Sequence, residues 1–147
     1  MSENKTHLYR VEVEWEAEKR GRLKAEGFPT ISVATPPEFS GHPGIWTPEH
    51  LYVASAAICL MSTFLAISQY SRFEFIGFRC EAQGKLESVE GSAIITEIIL
   101  RPTITVATEA LRKRALQIIS KAEENCLIAR SMKTEIKMEP EILIEKR

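Results

Sequence analysis

Three cysteines, Cys59, Cys80 and Cys126, are the residues here whose chemistry no other motif claims. Metal binding finds no support, because His7, His42 and His50 lack paired ligand spacing and no two cysteines stand close together. Gly21 and Gly27, then Gly41 and Gly44, fit neither phosphate-binding pattern, and no G-x-S-x-G elbow occurs. A thiol either packs as a small hydrophobe or, once ionised, acts as a nucleophile. Cys59, in Ala56-Ala57-Ile58-Cys59-Leu60-Met61, reads on its own as core. Cys80 shares a strand face with Ile76, Phe78 and Ala82 and reads the same way. Cys126, in Glu124-Asn125-Cys126-Leu127, stands at a junction of two helical stretches and is open between the two readings. A helix N-terminus there would stabilise its thiolate, whereas Glu123 and Glu124 oppose that.

The elements that would position these thiols follow from periodicity. Tyr9, Val11, Val13 and Trp15 alternate with Arg10, Glu12 and Glu14, the pattern of a half-buried strand. Glu16 to Arg22 reads as a turn into a second strand around Leu23, and Phe28 to Ala34 as a third. Pro36 to Thr47, with three prolines, Gly41 and Gly44, is a loop. Thr47 then suits an N-cap, Pro48 the first helical position and Glu49 the first turn. No charged side chain follows before Arg72, and apolar residues occupy every side of the helix, so it is either deeply buried or spans a membrane. Ser55, Ser62, Thr63 and Ser68 and the amphipathic strands on both flanks favour burial over a membrane. A small domain covers such a helix poorly, and a second subunit is expected to cover part of it.

Phe73 to Ala82 and Ala93 to Val106 alternate as an antiparallel pair turning near Glu90 and Gly91. Thr108 can cap a helix through Glu124 with the stripe Leu111, Ala115, Ile118, Ile119 and Ala122. A short helical turn follows over Cys126 to Met132. Glu135 to Glu145 is a last strand, with Pro140 placing it at an edge or a bulge. The sum is one α+β domain over residues 1–147, ordered β-β-β-α-β-β-α-β.

Composition bounds the function. With 147 residues, 44% hydrophobic and 27% charged, the chain has an ordinary globular balance. Its net charge of −1 offers no basic excess for nucleic acid. The first residues lack an apolar h-region, so a cytoplasmic location is expected, where thiols stay reduced and an odd cysteine count is not a disulfide framework.

Two stretches then carry a resemblance. Thr47-Pro48-Glu49-His50-Leu51 with Ala56-Ala57-Ile58-Cys59 resembles the first signature of the OsmC/Ohr family, and Ala122-Glu123-Glu124-Asn125-Cys126-Leu127 through Ser131-Met132-Lys133 resembles its second cysteine motif. The resemblance covers nearly the whole chain and implies the family's fold, with a long buried central helix in an intertwined homodimer. It implies a thiol-dependent peroxidase for organic hydroperoxides, with Cys59 as peroxide-reducing cysteine and Cys126 as resolving cysteine. It further implies a peroxide-polarising arginine from the first hairpin, Arg20 or Arg22 with Arg20 preferred, held by Glu49. No cofactor is implied, only an external thiol reductant, with lipoyl-type dithiols among the candidates. Leu127 stands where the family's peroxidases usually carry a proline. On an unbroken helix the ten residues from Glu49 to Cys59 span about 15 Å of rise, so Glu49 would have to serve a neighbouring subunit's thiol. Tyr52, Phe39 and Trp46 could line an apolar substrate pocket. The competing readings are a dimer whose pocket holds a hydrophobic small molecule, and an accessory dimer without a ligand.

Overall fold

The computed structural model describes residues 5–145, and the chain divides into two compact units, Met1–Leu51 and Tyr52–Arg147. In the first, β1 (Glu12–Ala17), β2 (Arg20–Lys24) and β3 (Ile31–Ala34) form an antiparallel sheet in sequence order. Glu18, at φ 54°, turns β1 into β2. The face expected to be half-buried is open in the single chain: Tyr9 and Val11 precede the strand, and Tyr9, Val11, Val13 and Trp15 are all exposed. Period two marked which residues share a face, but among the described residues of this unit nothing covers it. The loop after β3 holds a 3₁₀ turn at Pro37–Phe39 and returns at Trp46, whose carbonyl accepts the Ala34 N–H at 2.9 Å.

The long helix α1 (Pro48–Tyr70) begins as the sequence dictates. Thr47 Oγ1 accepts the His50 N–H at 3.0 Å, the N-cap bond that satisfies one orphan donor of the first turn. Arg72, at φ 55°, closes the other end, with the Phe73 N–H donating to the Ser68 carbonyl at 2.8 Å. By length and composition alone α1 could cross a membrane. The expected burial on every side is met on one stripe only: Ala56, Leu60, Phe64 and Ser68 are buried, whereas Ile58, Met61 and Leu65 on the other side are exposed. A single chain has too little else to wrap the whole circumference.

In the second unit the buried stripe of α1 packs on a four-stranded sheet. β4 (Gly77–Val89) and β5 (Ser92–Val106) form the long antiparallel hairpin the alternation predicts. Its two-residue turn, Glu90-Gly91, has φ 51° and 84°, both positive as a right-twisted hairpin prefers. The buried face of β5 is Ile98, Leu100, Pro102, Ile104 and Val106, strictly every second residue. The last strand is two strands: β6 (Glu135–Met138) and β7 (Glu141–Ile144), both parallel to β5. The break falls at Pro140, which cannot donate to a ladder, and lies between the registers Leu100↔Met138 and Thr103↔Glu141, where Pro102 of β5 also lacks an N–H.

The helix α2 (Arg112–Glu124) buries Ala115, Ile118, Ile119 and Ala122 as expected, but its start differs. A 3₁₀ turn at Glu109–Leu111 precedes it and Thr108 makes no side-chain cap. Phe64 joins α1 to the sheet, with ring centroids 4.9 Å from Phe78 and 5.0 Å from Phe75. Gly84 of β4 passes so close to α1 that a Cβ there would lie 2.5 Å from Val53 Cγ2.

Candidate functional site

Cys59 and Cys126 come together in the second unit. Cys59 is a half-buried residue of α1, and Cys126 is buried at 1% exposure between α2 and α3 (Leu127–Ser131). Asn125 ends α2, its side-chain amide donating to the Lys121 carbonyl at 2.8 Å. Cys126 then adopts extended backbone (φ −74°, ψ 107°) as the N-cap of α3. The first intrahelical bond of α3 runs from the Arg130 N–H to the Cys126 carbonyl at 3.1 Å, so the amides of Leu127, Ile128 and Ala129 are free to serve another acceptor.

The two sulfurs are the groups on which those amides act. Burial, the largest influence on the Cys59 thiol, pushes its pKa up. The Ile128 N–H, the Cys126 thiol, the Thr63 hydroxyl and the Leu127 N–H outweigh it together, and Cys59 is held below the ordinary thiol range. Burial also pushes Cys126 up. The Ala129 and Ile128 amides resist, but the hydrogen bond it donates to Cys59 and the charge of the Cys59 thiolate hold its proton on. The two thiols are thus driven apart, one toward thiolate and one toward neutral donor. Glu123, half-buried, is pushed up by burial and by Glu124.

The helix N-terminus that the sequence offered to Cys126 acts on both sulfurs: the Ala129 and Ile128 amides favour the Cys126 thiolate, and the Ile128 and Leu127 amides favour that of Cys59. Sequence reasoning missed Thr63, whose Oγ1 donates to the Cys59 carbonyl at 2.8 Å and lies 3.9 Å from Cys59 Sγ. Its spacing of four residues along α1 was the available signal. Cys80 packs against the core beside Phe78 and Ala82, as expected, with its pKa pushed up by burial.

The other two predicted site residues lie in the first unit. Arg20 is half-buried, with Nη2 3.5 Å from Glu18 Oε1, and its Nε is buried without a partner. Arg22 is exposed and pairs with Glu16 at 3.6 Å. Glu49 Oε1 is likewise buried without a partner, and among the described residues no ion pair joins either arginine to Glu49. Arg20 lines an apolar cavity of about 640 Å³ with Val13, Trp15, Leu23, Val33 and Leu51. Of the three aromatic residues considered for a pocket, Tyr52 packs on the core and bonds Thr134 Oγ1 at 2.6 Å, while Phe39 and Trp46 are exposed. Because α1 is continuous from Pro48 to Tyr70, about 15 Å of helical rise separates Glu49 from Cys59 along it.

A long helix packed on a four-stranded sheet, carrying one of two juxtaposed thiols of unequal acidity, defines an α+β protein with a dithiol site. A family model described as OsmC-like protein matches residues 41–141. The chain belongs to the OsmC-like protein family. It is similar to the uncharacterised protein YmaD of Bacillus subtilis, 24% identical over 145 residues and 95% of each chain. Its fold is similar to that of an OsmC-like protein of unknown function from Vibrio cholerae, with TM-score 0.81 and 22% identity over 92% of this chain and 99% of that one. It is also similar to that of an organic hydroperoxide resistance protein from Elizabethkingia anophelis, with TM-score 0.73 and 19% identity over 96% and 100%.

Proposed function

We propose that the chain is a thiol-dependent peroxidase that reduces organic hydroperoxides. The observation that carries this reading is the pair of juxtaposed thiols with acidities driven apart, Cys59 down and Cys126 up. Environments that separate the pKa values of neighbouring groups divide their chemical roles. The Cys59 thiolate attacks the terminal peroxide oxygen, the O–O bond breaks, and the alcohol leaves as its oxygen takes a proton. Cys59 is left as a sulfenic acid. Cys126 condenses with it, forming a disulfide and releasing water, and an external dithiol returns both to thiols.

Arg20 polarises the peroxide in this reading, with Glu49 positioning it. Their buried, unpartnered Nε and Oε1 atoms support the pair over Arg22, whose charge is exposed. The helical rise between Glu49 and Cys59 makes those two residues complete the site of a second copy. That copy, rather than lipid, covers the exposed Ile58, Met61 and Leu65 of α1, giving a cytoplasmic homodimer that needs no cofactor. Consumption of cumene hydroperoxide coupled to oxidation of a dithiol tests the reading. Turnover that Cys59→Ser abolishes supports it. Absence of turnover together with tight binding of an apolar ligand would point to a hydrophobic-ligand module, for which the cavity beside Arg20 is the candidate.

A further inference from the structure

We infer that in the oxidised protein the reducing thiol attacks the sulfur of Cys59 and not that of Cys126, so that one sulfur receives the peroxide oxygen and the reductant in turn. This rests on the Cys59–Cys126 disulfide of the proposed reaction. Thiol–disulfide exchange proceeds by approach along the S–S axis, from the side opposite the sulfur that leaves. Cys126 is 1% exposed, enclosed by its own chain at the turn between α2 and α3, and an added subunit can only bury it further. Cys59 is half-buried, and the proposed reaction already requires a peroxide to reach it. The opening that admits one co-substrate admits the other.

The exchange balances in two steps. A reductant thiolate bonds to Cys59 Sγ, the S–S bond breaks, and its electron pair leaves on Cys126 Sγ, which takes up a proton. The second thiol of the reductant then attacks the reductant-side sulfur of this mixed disulfide. The protein–reductant bond breaks and Cys59 leaves as thiolate. The protein disulfide gains two electrons and the dithiol loses two. Leaving-group acidity alone would favour the opposite first attack, because Cys59 is the more acidic thiol. Access overrides it: a sulfur closed to solvent offers no line of approach. The acidity of Cys59 is used in the second step instead, where its sulfur leaves as the thiolate that its surroundings favour. Peroxide and reductant sharing one sulfur also requires the alcohol to depart before the reductant binds, which gives double-displacement kinetics.

The test forms the disulfide without peroxide. Wild-type protein is oxidised with one equivalent of diamide, pulsed briefly with 2-mercaptoethanol and quenched with excess N-ethylmaleimide. Trypsin places the three cysteines on separate peptides, bounded by Lys24 and Arg72, Arg79 and Lys85, and Lys121 and Arg130. The expected result is mercaptoethanol on Cys59 with maleimide on Cys126, in at least about tenfold excess over the reverse. Equal or greater labelling of Cys126 by mercaptoethanol overturns the inference, as does failure of diamide to join the two cysteines. Whether peroxide oxidises Cys59 at all is read separately, by dimedone trapping in Cys126→Ser. A silent trap there removes the peroxidase reading while the partition between the sulfurs still stands as measured.

Discussion

The Cys126 thiol lies beside the Cys59 thiol, and their interaction lowers the pKa of Cys59 while raising that of Cys126. Cys126 must keep its proton for Cys59 to keep its charge. A peroxidase needs that asymmetry, because two thiolates repel each other and two neutral thiols attack peroxide slowly.

Alkylation by iodoacetamide, mapped by peptide, should therefore rise at Cys59 through a pH below the ordinary thiol range and at Cys126 above it. A folded-state value below the unfolded one also means that ionised Cys59 stabilises the fold above the ordinary thiol pKa, a contribution lost as pH falls through the folded value. Leu127→Pro is a sharp probe. Proline suits the first position of α3, and the extended Cys126 backbone accepts a following proline, but the Leu127 N–H is lost. The variant should fold normally, with the Cys59 profile moved to higher pH and a several-fold slower reaction at neutral pH. An unchanged profile would show that this amide does not act on Cys59.

Arg20→Met should lower kcat/KM for cumene hydroperoxide by on the order of 10²-fold, the usual cost of removing a charge-stabilising donor from a reacting centre. Arg22→Met, which removes an exposed pair with Glu16, should stay within about twofold. The reverse order of effects would transfer the role to Arg22.

Gly84→Ala should destabilise the fold by about 1–3 kcal/mol, because its Cβ would overlap Val53, a β-branched side chain with little room to turn. Thermal unfolding measures this. A variant as stable as wild type would mean that β4 moves away from α1 freely.

Light scattering should report a dimer at assay concentrations. Ile58→Glu, at a position 57% exposed in the single chain, should weaken it without unfolding the chain. A well-folded wild-type monomer would contradict the shared site and leave Glu49 without a thiol to serve.

Much of this was legible in residue spacing. The Thr47-Pro48 start of α1 and the α2 stripe are local patterns and formed where they were expected, whereas the hairpin formed with its first strand at Gly77–Val89 rather than Phe73–Ala82. The division of the last strand at Pro140 was half legible, since proline announced an interruption but not the two parallel registers on β5. The exposed face of β1 was misread, because alternation states which residues share a side and not whether anything covers it. At the site, both cysteines were singled out, yet their meeting depends on a turn between α2 and α3 that has no periodic signature. That the α3 amides act on both sulfurs depends on the same turn and has no signature in residue spacing.

The most direct test is intact-mass analysis of reduced protein after a brief stoichiometric pulse of cumene hydroperoxide, alongside Cys59→Ser and Cys126→Ser. Wild type should lose the mass of two hydrogens, with the disulfide mapped to Cys59 and Cys126, and sulfenic acid should accumulate in Cys126→Ser alone. Thiols that stay unmodified under excess organic and hydrogen peroxide would contradict the peroxidase account.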